Sequence, residues 1–284
     1  MLKHRFITAL ILLPIVISAV FLSSTLCFAI VTLMICLLAA WEWGRLAGLT
    51  VFSQRIGLII FFSIFLISLL LNFLTDQSSI HFLPFGFSLL IWLSLGWWII
   101  ALILVLTYPN SAVFWQHSSF LRIIFGILTI IPFFCGMLAL RQYAYEQDHK
   151  IGIVWLFYLM LLVWGADSGA YIFGKRFGKH QLAPKISPGK TWEGLIGGLL
   201  VSTLISLLFA YYFPLGITYQ KLFICSVISV FASILGDLTE SMFKRQVRIK
   251  DSGYLIPGHG GILDRIDSLT AAVPVFACFM LFIF

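Results

Sequence analysis

Charge is what this 284-residue chain has least of: 18 Lys and Arg and 11 Asp and Glu leave only 10% of positions ionic. An ordinary soluble domain carries about 25%, and so few charges cannot cover a water-facing globule of this length. Soluble, disordered and collagen-like classes are excluded together. Cysteine is sparse and poorly placed for chemistry. Cys27, Cys36, Cys135, Cys225 and Cys278 lie in or beside apolar runs, with no CxxC pair and no His at ligand spacing. In such surroundings cysteine behaves as a small hydrophobe, so neither a disulfide scaffold nor a zinc site is indicated. No internal repeat or low-complexity linker is visible. The alternating polarity of an outer-membrane barrel is also missing.

Apolar residues make up 61% of the chain, in continuous runs. About 20 such residues span the hydrocarbon core as a helix. The runs predict spans at 6–22, 25–41, 55–74, 86–106, 121–140, 151–172, 194–213, 221–236 and 269–284. The fold class is therefore all-α, a polytopic transmembrane bundle of about nine spans. Ser23, Ser24 and Thr25 separate the first two runs, as a tight hairpin or as a kink in one long helix. The basic start of the chain resembles a signal peptide, but a second apolar run follows at once, so it is read as a span. The 28 Phe, 9 Trp and 9 Tyr suit lipid-facing bulk and interfacial belts.

Basic residues set the orientation. Lys3, His4 and Arg5 precede the first span, and alternate connections hold Arg45 and Arg55, then Arg122, then two dense clusters. The positive-inside rule puts the N-terminus and the loops 173–193 and 237–268 in the cytoplasm. The net charge of +7 follows from that rule and does not call for nucleic acid. Residues 165–267 hold 7 of the 11 acidic and 11 of the 18 basic residues. Residues 1–164 read as scaffold helices, and 165–284 as the catalytic membrane region.

Three polar stretches carry the chemistry. In Trp164-Gly-Ala-Asp-Ser-Gly-Ala-Tyr171, Asp167 sits near the end of an apolar span. A carboxylate at bilayer depth costs at least about 2.5 kcal/mol, so it must face a cavity, a cation or a partner. Gly165 and Gly169 admit a close backbone or ligand. In Lys185-Ile-Ser-Pro-Gly-Lys-Thr-Trp-Glu193, Gly189-Lys-Thr191 invites a P-loop reading, which fails because Pro184 stands where glycine is needed and no strand precedes it. Ser187, Lys190 and Thr191 instead offer hydroxyls and an ammonium just before a helix N-terminus, where anions are favoured.

The densest stretch runs from Gly236-Asp-Leu-Thr-Glu-Ser-Met-Phe-Lys-Arg245 through Lys250-Asp-Ser-Gly253 to Pro257-Gly-His-Gly-Gly261 and Asp264-Arg-Ile-Asp267. Asp237, Glu240 and Ser241 share one helical face, and so do Asp264 and Asp267. Carboxylates beside several cations and a glycine turn suit a metal-bound polyphosphate, since Mg²⁺ takes a few carboxylates plus phosphate oxygens.

The run from Ser241-Met-Phe-Lys-Arg245 to Asp264-Arg-Ile-Asp267, together with Asp167-Ser-Gly-Ala-Tyr171 and Ser187-Pro-Gly-Lys-Thr-Trp-Glu193, resembles the motifs of the phosphatidate cytidylyltransferases, the CDP-diacylglycerol synthases. The motif-level resemblance covers roughly 165–268; over 1–164 only length and hydropathy are similar. It implies a Mg²⁺-dependent reaction, with room for a second metal, of CTP with phosphatidic acid to give CDP-diacylglycerol and pyrophosphate. It also implies a homodimer in the inner membrane of a bacterium, with the active site on the cytoplasmic face. By position the metal-binding residues would be Asp237, Asp264 and Asp267. Lys244, Arg245 and His259 would join them in catalysis. Substrate contacts would come from Asp167, Ser187, Lys190, Thr191, Glu193, Ser241, Lys250, Asp251 and Arg265. Two alternatives stay open on the residues alone: a CTP-dependent lipid kinase, and a transporter whose Asp167 and Asp237 bind a coupling cation.

Overall fold

A computed structural model describes residues 14–75, 85–213, 217–255 and 260–284. Helix occupies 14–21 (α1), then α2 (Thr25–Leu46), α3 (Phe52–Thr75), α4 (Phe85–Leu106), the short α5 (Ala112–Trp115), α6 (Ser119–Gln142) and α7 (His149–Phe177). A two-stranded antiparallel hairpin follows, β1 (Gln181–Ala183) and β2 (Ser187–Thr191). The chain closes with α8 (Trp192–Tyr212), α9 (Tyr219–Gln246) and α10 (Leu263–Cys278), which runs into a π-helical turn at Phe279–Ile283. Eight described helices are long and apolar enough to cross a bilayer. They correspond to the predicted spans from the second onward; the span predicted at 6–22 falls partly outside the described residues. The first two runs are separate helices, because the Cys27 N–H bonds the Ser24 hydroxyl and caps a new start at Thr25.

Polarity misplaces three predicted boundaries. α7 continues to Phe177, α9 runs on to Gln246 past the predicted end at 236, and α10 begins at Leu263 before the predicted 269. The segment 237–268 is thus helical at both ends. Charged side chains at helical spacing lower the hydropathy without breaking the backbone hydrogen bonds, provided that they face interior partners. The expectation that no strand precedes Thr191 is corrected as well. Ser187–Thr191 is itself a strand, with Ala183 opposite Ser187 and Gln181 opposite Thr191. Gly189 and Lys190 lie within it, so the P-loop arrangement of a glycine loop after a strand is still not formed.

Without a hydrophobic drive in lipid, membrane helices associate through close packing, which small residues permit. α7 and α8 form such an interface. A Cβ on Gly169 would stand 2.8 Å from the Gly197 carbonyl oxygen, and one on Gly198 would stand 2.7 Å from that of Ala166. α9 and α10 cross equally tightly, since a Cβ on Gly236 would lie 2.4 Å from the Asp267 carbonyl oxygen. That crossing sets Asp237 and Asp267 side by side. α2, α6, α7, α9 and α10 supply most of the apolar core, while α3 and α4 leave residues such as Ile64, Ile99 and Ile103 exposed to lipid.

Candidate active site

The polar ends of α7, α9 and α10 and the strand β2 meet at one cluster of acids and lysines. Lys190, carried on β2, places its ammonium 2.7 Å from Asp237 Oδ2 on α9. Ser241, one turn further along α9, donates its hydroxyl to Asp237 Oδ1 at 3.2 Å. Asp167 on α7 lies beside Lys190 and Asp237 and takes a hydrogen bond from the Ser268 hydroxyl of α10. Asp267 faces Asp237, and its Oδ1 accepts the Ser268 N–H at 2.8 Å. Deeper in, the Lys244 ammonium bridges Glu240 Oε2 at 2.6 Å and Asp264 Oδ1 at 2.8 Å. Asp264 Oδ2 in turn accepts the backbone N–H groups of Ser252 at 2.9 Å and Gly261 at 2.8 Å.

The two ion pairs differ in access. The side chains of Lys190 and Asp237 are 24% and 29% exposed, those of Lys244 and Glu240 only 10% and 3%. A ligand from water therefore meets Lys190 and Asp237 first.

The sequence matches the cytidylyltransferase family over residues 3–283. A phosphatidate cytidylyltransferase of Haemophilus influenzae is 42% identical over 293 aligned residues, covering all of both chains. One of Pseudomonas aeruginosa is 44% identical over 281 residues, covering 99% of this chain and 97% of its own. The chain belongs to the phosphatidate cytidylyltransferase family. A Bacillus subtilis member is 38% identical over 185 residues, about two thirds of each chain. Membership makes the molecule a membrane-embedded nucleotidyltransferase, and the acid–lysine cluster is the place to look for its chemistry.

Several motif residues of this nucleotidyltransferase hold the cluster's surroundings together. Thr191 caps α8, its hydroxyl accepting the Gly194 N–H at 3.1 Å. Glu193 takes hydrogen bonds from the N–H groups of Lys179 and His180 and lies 2.7 Å from His180 Nδ1, which fixes the approach to the hairpin. The Arg245 Nε–H bonds the Ile186 carbonyl at 3.0 Å and ties the same hairpin to α9. Ser187 sits at the start of β2, and Lys250, Asp251 and Arg265 are exposed near the cluster's segment of chain. His259 lies outside the described residues.

Two acids of this family member have roles that spacing does not assign. Glu240 sits on the helical face of Asp237 and Ser241 as the spacing predicts, and there it pairs with Lys244, its Oε1 buried without a hydrogen-bond partner. Glu42 belongs to the region read as scaffold, is 1% exposed, and accepts three hydrogen bonds, from Ser252, Ile262 and Leu263. A signal for it does exist: a lone carboxylate at the edge of the apolar run 25–41 has to be partnered.

The donor set fits a hard divalent cation. Asp167, Asp237, Glu240, Asp264 and Asp267 gather around Lys190 and Lys244, a set of carboxylates that suits Mg²⁺ with its preference for carboxylate oxygen. Among the described residues, no three acid, His or Cys side chains stand close enough to form a complete metal cage. Mg²⁺ commonly needs no such cage, since one or two carboxylates with substrate phosphate and water suffice.

Proposed function

We propose that this cluster transfers a cytidylyl group from CTP to phosphatidic acid, giving CDP-diacylglycerol and pyrophosphate in phospholipid biosynthesis. The observation that carries the reading is the convergence of Lys190, Asp237 and Asp267 from three chain segments, in a chain related end to end to phosphatidate cytidylyltransferases. An oxygen of the lipid phosphomonoester attacks the α-phosphorus of CTP. The new O–P bond forms as the bridging bond to the β-phosphate breaks, and the electron pair leaves with pyrophosphate. The second pKa of a phosphomonoester is about 6, so the nucleophile is largely a dianion at neutral pH and needs no general base.

The obstacle is repulsion between two polyanions. Catalysis then rests on position and on charge already arranged for the transition state. Asp237 and Asp267 would hold Mg²⁺, with Asp167 beside Asp237 and a second ion accommodated by the same group of carboxylates. Mg²⁺, when bound, neutralises the triphosphate and stabilises the departing pyrophosphate. Asp264, whose oxygens are engaged by Lys244 and two backbone N–H groups, would keep its metal-site neighbours in register. Lys190 meets the triphosphate from the open side, Lys244 balances charge from the buried side, and Arg245 keeps β2 in place. His259 is assigned hydrogen-bond donation to phosphate. Catalysis is assigned to residues 165–284, acting in a homodimer, on the cytoplasmic face of a bacterial inner membrane, where CTP is available and the lipid enters sideways.

The deciding experiment incubates purified protein with phosphatidic acid, Mg²⁺ and CTP labelled on the α-phosphate. Label entering the lipid, with pyrophosphate released, is expected. Label remaining in CDP while a γ-label enters the lipid would replace the reading with a lipid kinase. No transfer from either position would remove enzymatic use of CTP.

A further inference from the structure

The acid that holds Ser252, Ile262 and Leu263 from outside their own stretch of chain is Glu42. It comes from the last third of α2, 210 positions before Ser252, and it is buried. Its Oε2 accepts the Ser252 hydroxyl at 2.9 Å and the Leu263 N–H at 2.8 Å, and its Oε1 accepts the Ile262 N–H at 3.0 Å. Arg45, one turn along the same helix, donates from Nη1 to the Ser252 carbonyl at 3.0 Å. Ser252 is thus held by both its side chain and its backbone. Ile262 and Leu263 are the entry to α10, whose opening N–H groups have no carbonyl within the helix. The carboxylate satisfies them and joins the two ends of segment 252–263.

The space around this carboxylate is made by glycine. A Cβ on Gly253 would stand 2.2 Å from Glu42 Oε1, and one on Gly261 would stand 2.3 Å from Oε2. Asp264 clamps the same segment from the opposite side, through the Ser252 and Gly261 N–H groups. Glu42 and Asp264 therefore act together to fix where α10 begins, and with it the position of Asp267 one turn later.

We propose that Glu42 is a positioning residue for this reaction, setting the placement of Asp264 and Asp267 through the N-terminus of α10 without touching substrate. The inference rests on the proposed reaction at that cluster. A displacement of about 1 Å at a reacting centre can cost about 100-fold in rate, so Glu42 should govern turnover more than nucleotide affinity.

The experiment compares the full-length wild type with Glu42→Gln, Ser252→Ala and the double variant, all purified in lipid–detergent micelles. Glu42→Gln keeps the shape but turns an amide N–H₂ toward groups that are themselves donors. It should lower kcat about 100-fold, leave KM for CTP within about threefold, and raise the Mg²⁺ concentration giving half-maximal rate. Hydrogen exchange of the peptide covering 260–264 should accelerate in the absence of any nucleotide or metal, while α7 stays protected. Ser252→Ala removes one of the three bonds and should cost several-fold. In the double variant its effect should vanish, because both changes act through the same contact. Should Glu42→Gln fail to fold, Ser252→Ala and Arg45→Ala carry the same exchange and kinetic comparison. Unchanged exchange at 260–264, or a kcat within threefold of wild type, would overturn the inference. A wild type that forms no CDP-diacylglycerol would instead overturn the reaction on which it rests, leaving the exchange result to stand by itself.

Discussion

Helices α3 and α9 are both long, apolar and able to span a bilayer, yet they do opposite jobs. α3 carries one charged residue, Arg55, at its start, and turns Ile60, Phe61 and Ile64 outward. α9 carries Asp237, Glu240 and Lys244 on a face turned inward against α10 and β2. In hydrocarbon a polar group without a partner costs several kcal/mol. Charge can therefore enter a span only where neighbouring helices supply its complement, and those sites are where chemistry can happen. The lipid-facing helix can be nearly interchangeable along its length; the inward one cannot.

The sharpest test of that contrast removes charge from α9 and α10. Asp237→Asn and Asp267→Asn keep shape and should each lower kcat by about 100- to 1,000-fold, the scale of losing one preorganised electrostatic partner. Steady-state assays across a Mg²⁺ titration check this, with chelation abolishing and Mg²⁺ restoring wild-type turnover. If both variants stay near the wild-type rate, the inward face of α9 is structural and the contrast fails.

A smaller effect is expected at the open edge. Lys190→Ala should reduce kcat/KM for CTP about 30-fold, matching about 2 kcal/mol for a lost contact to a charged group. Lys190→Arg should be milder, since an ammonium at this half-buried position needs no fixed fork geometry. Equal losses for Ala and Arg would mean that Lys190 serves the Asp237 pair alone. Packing comes next in size. Gly236→Val forces side-chain atoms into the α9–α10 crossing and should cost about 1–3 kcal/mol, read as a lower thermal midpoint with reduced activity. The smallest change is expected on α3. Ile64→Ala, facing lipid, should stay within about 0.5 kcal/mol in stability and leave turnover unaltered. A large loss there would show that α3 has a protein partner on its outer face.

Glu42 blurs the division between scaffold and catalytic region in an instructive way. Its region reads as scaffold because its charge density is low, and α3 and α4 within it turn many apolar side chains outward. Density, however, says nothing about where a single carboxylate points. Three donors, from Ser252, Ile262 and Leu263, converge on that carboxylate only after α2 and α10 have packed. Trp43 shows the same thing on a lesser scale, its indole N–H donating to the Arg122 carbonyl across to α6.

Composition and run length by themselves determined that the chain is an all-α membrane bundle, because spanning a bilayer demands about 20 apolar residues whatever surrounds them. Helical spacing likewise determined that Asp237 and Ser241 share a face, and that Asp264 and Asp267 do, since residues three and four apart are neighbours on a helix. Only the tertiary structure decided which partner each one takes. Lys190 pairs with Asp237, Lys244 with Glu240 and Asp264, and Glu193 turns away to His180. It also decided that the charge-rich stretches at 237–246 and 263–267 continue the membrane helices α9 and α10 without a break. Hydropathy registers a side chain's polarity, whereas a membrane helix survives on whether that polarity is met across a packed interface, and no local pattern records the interface.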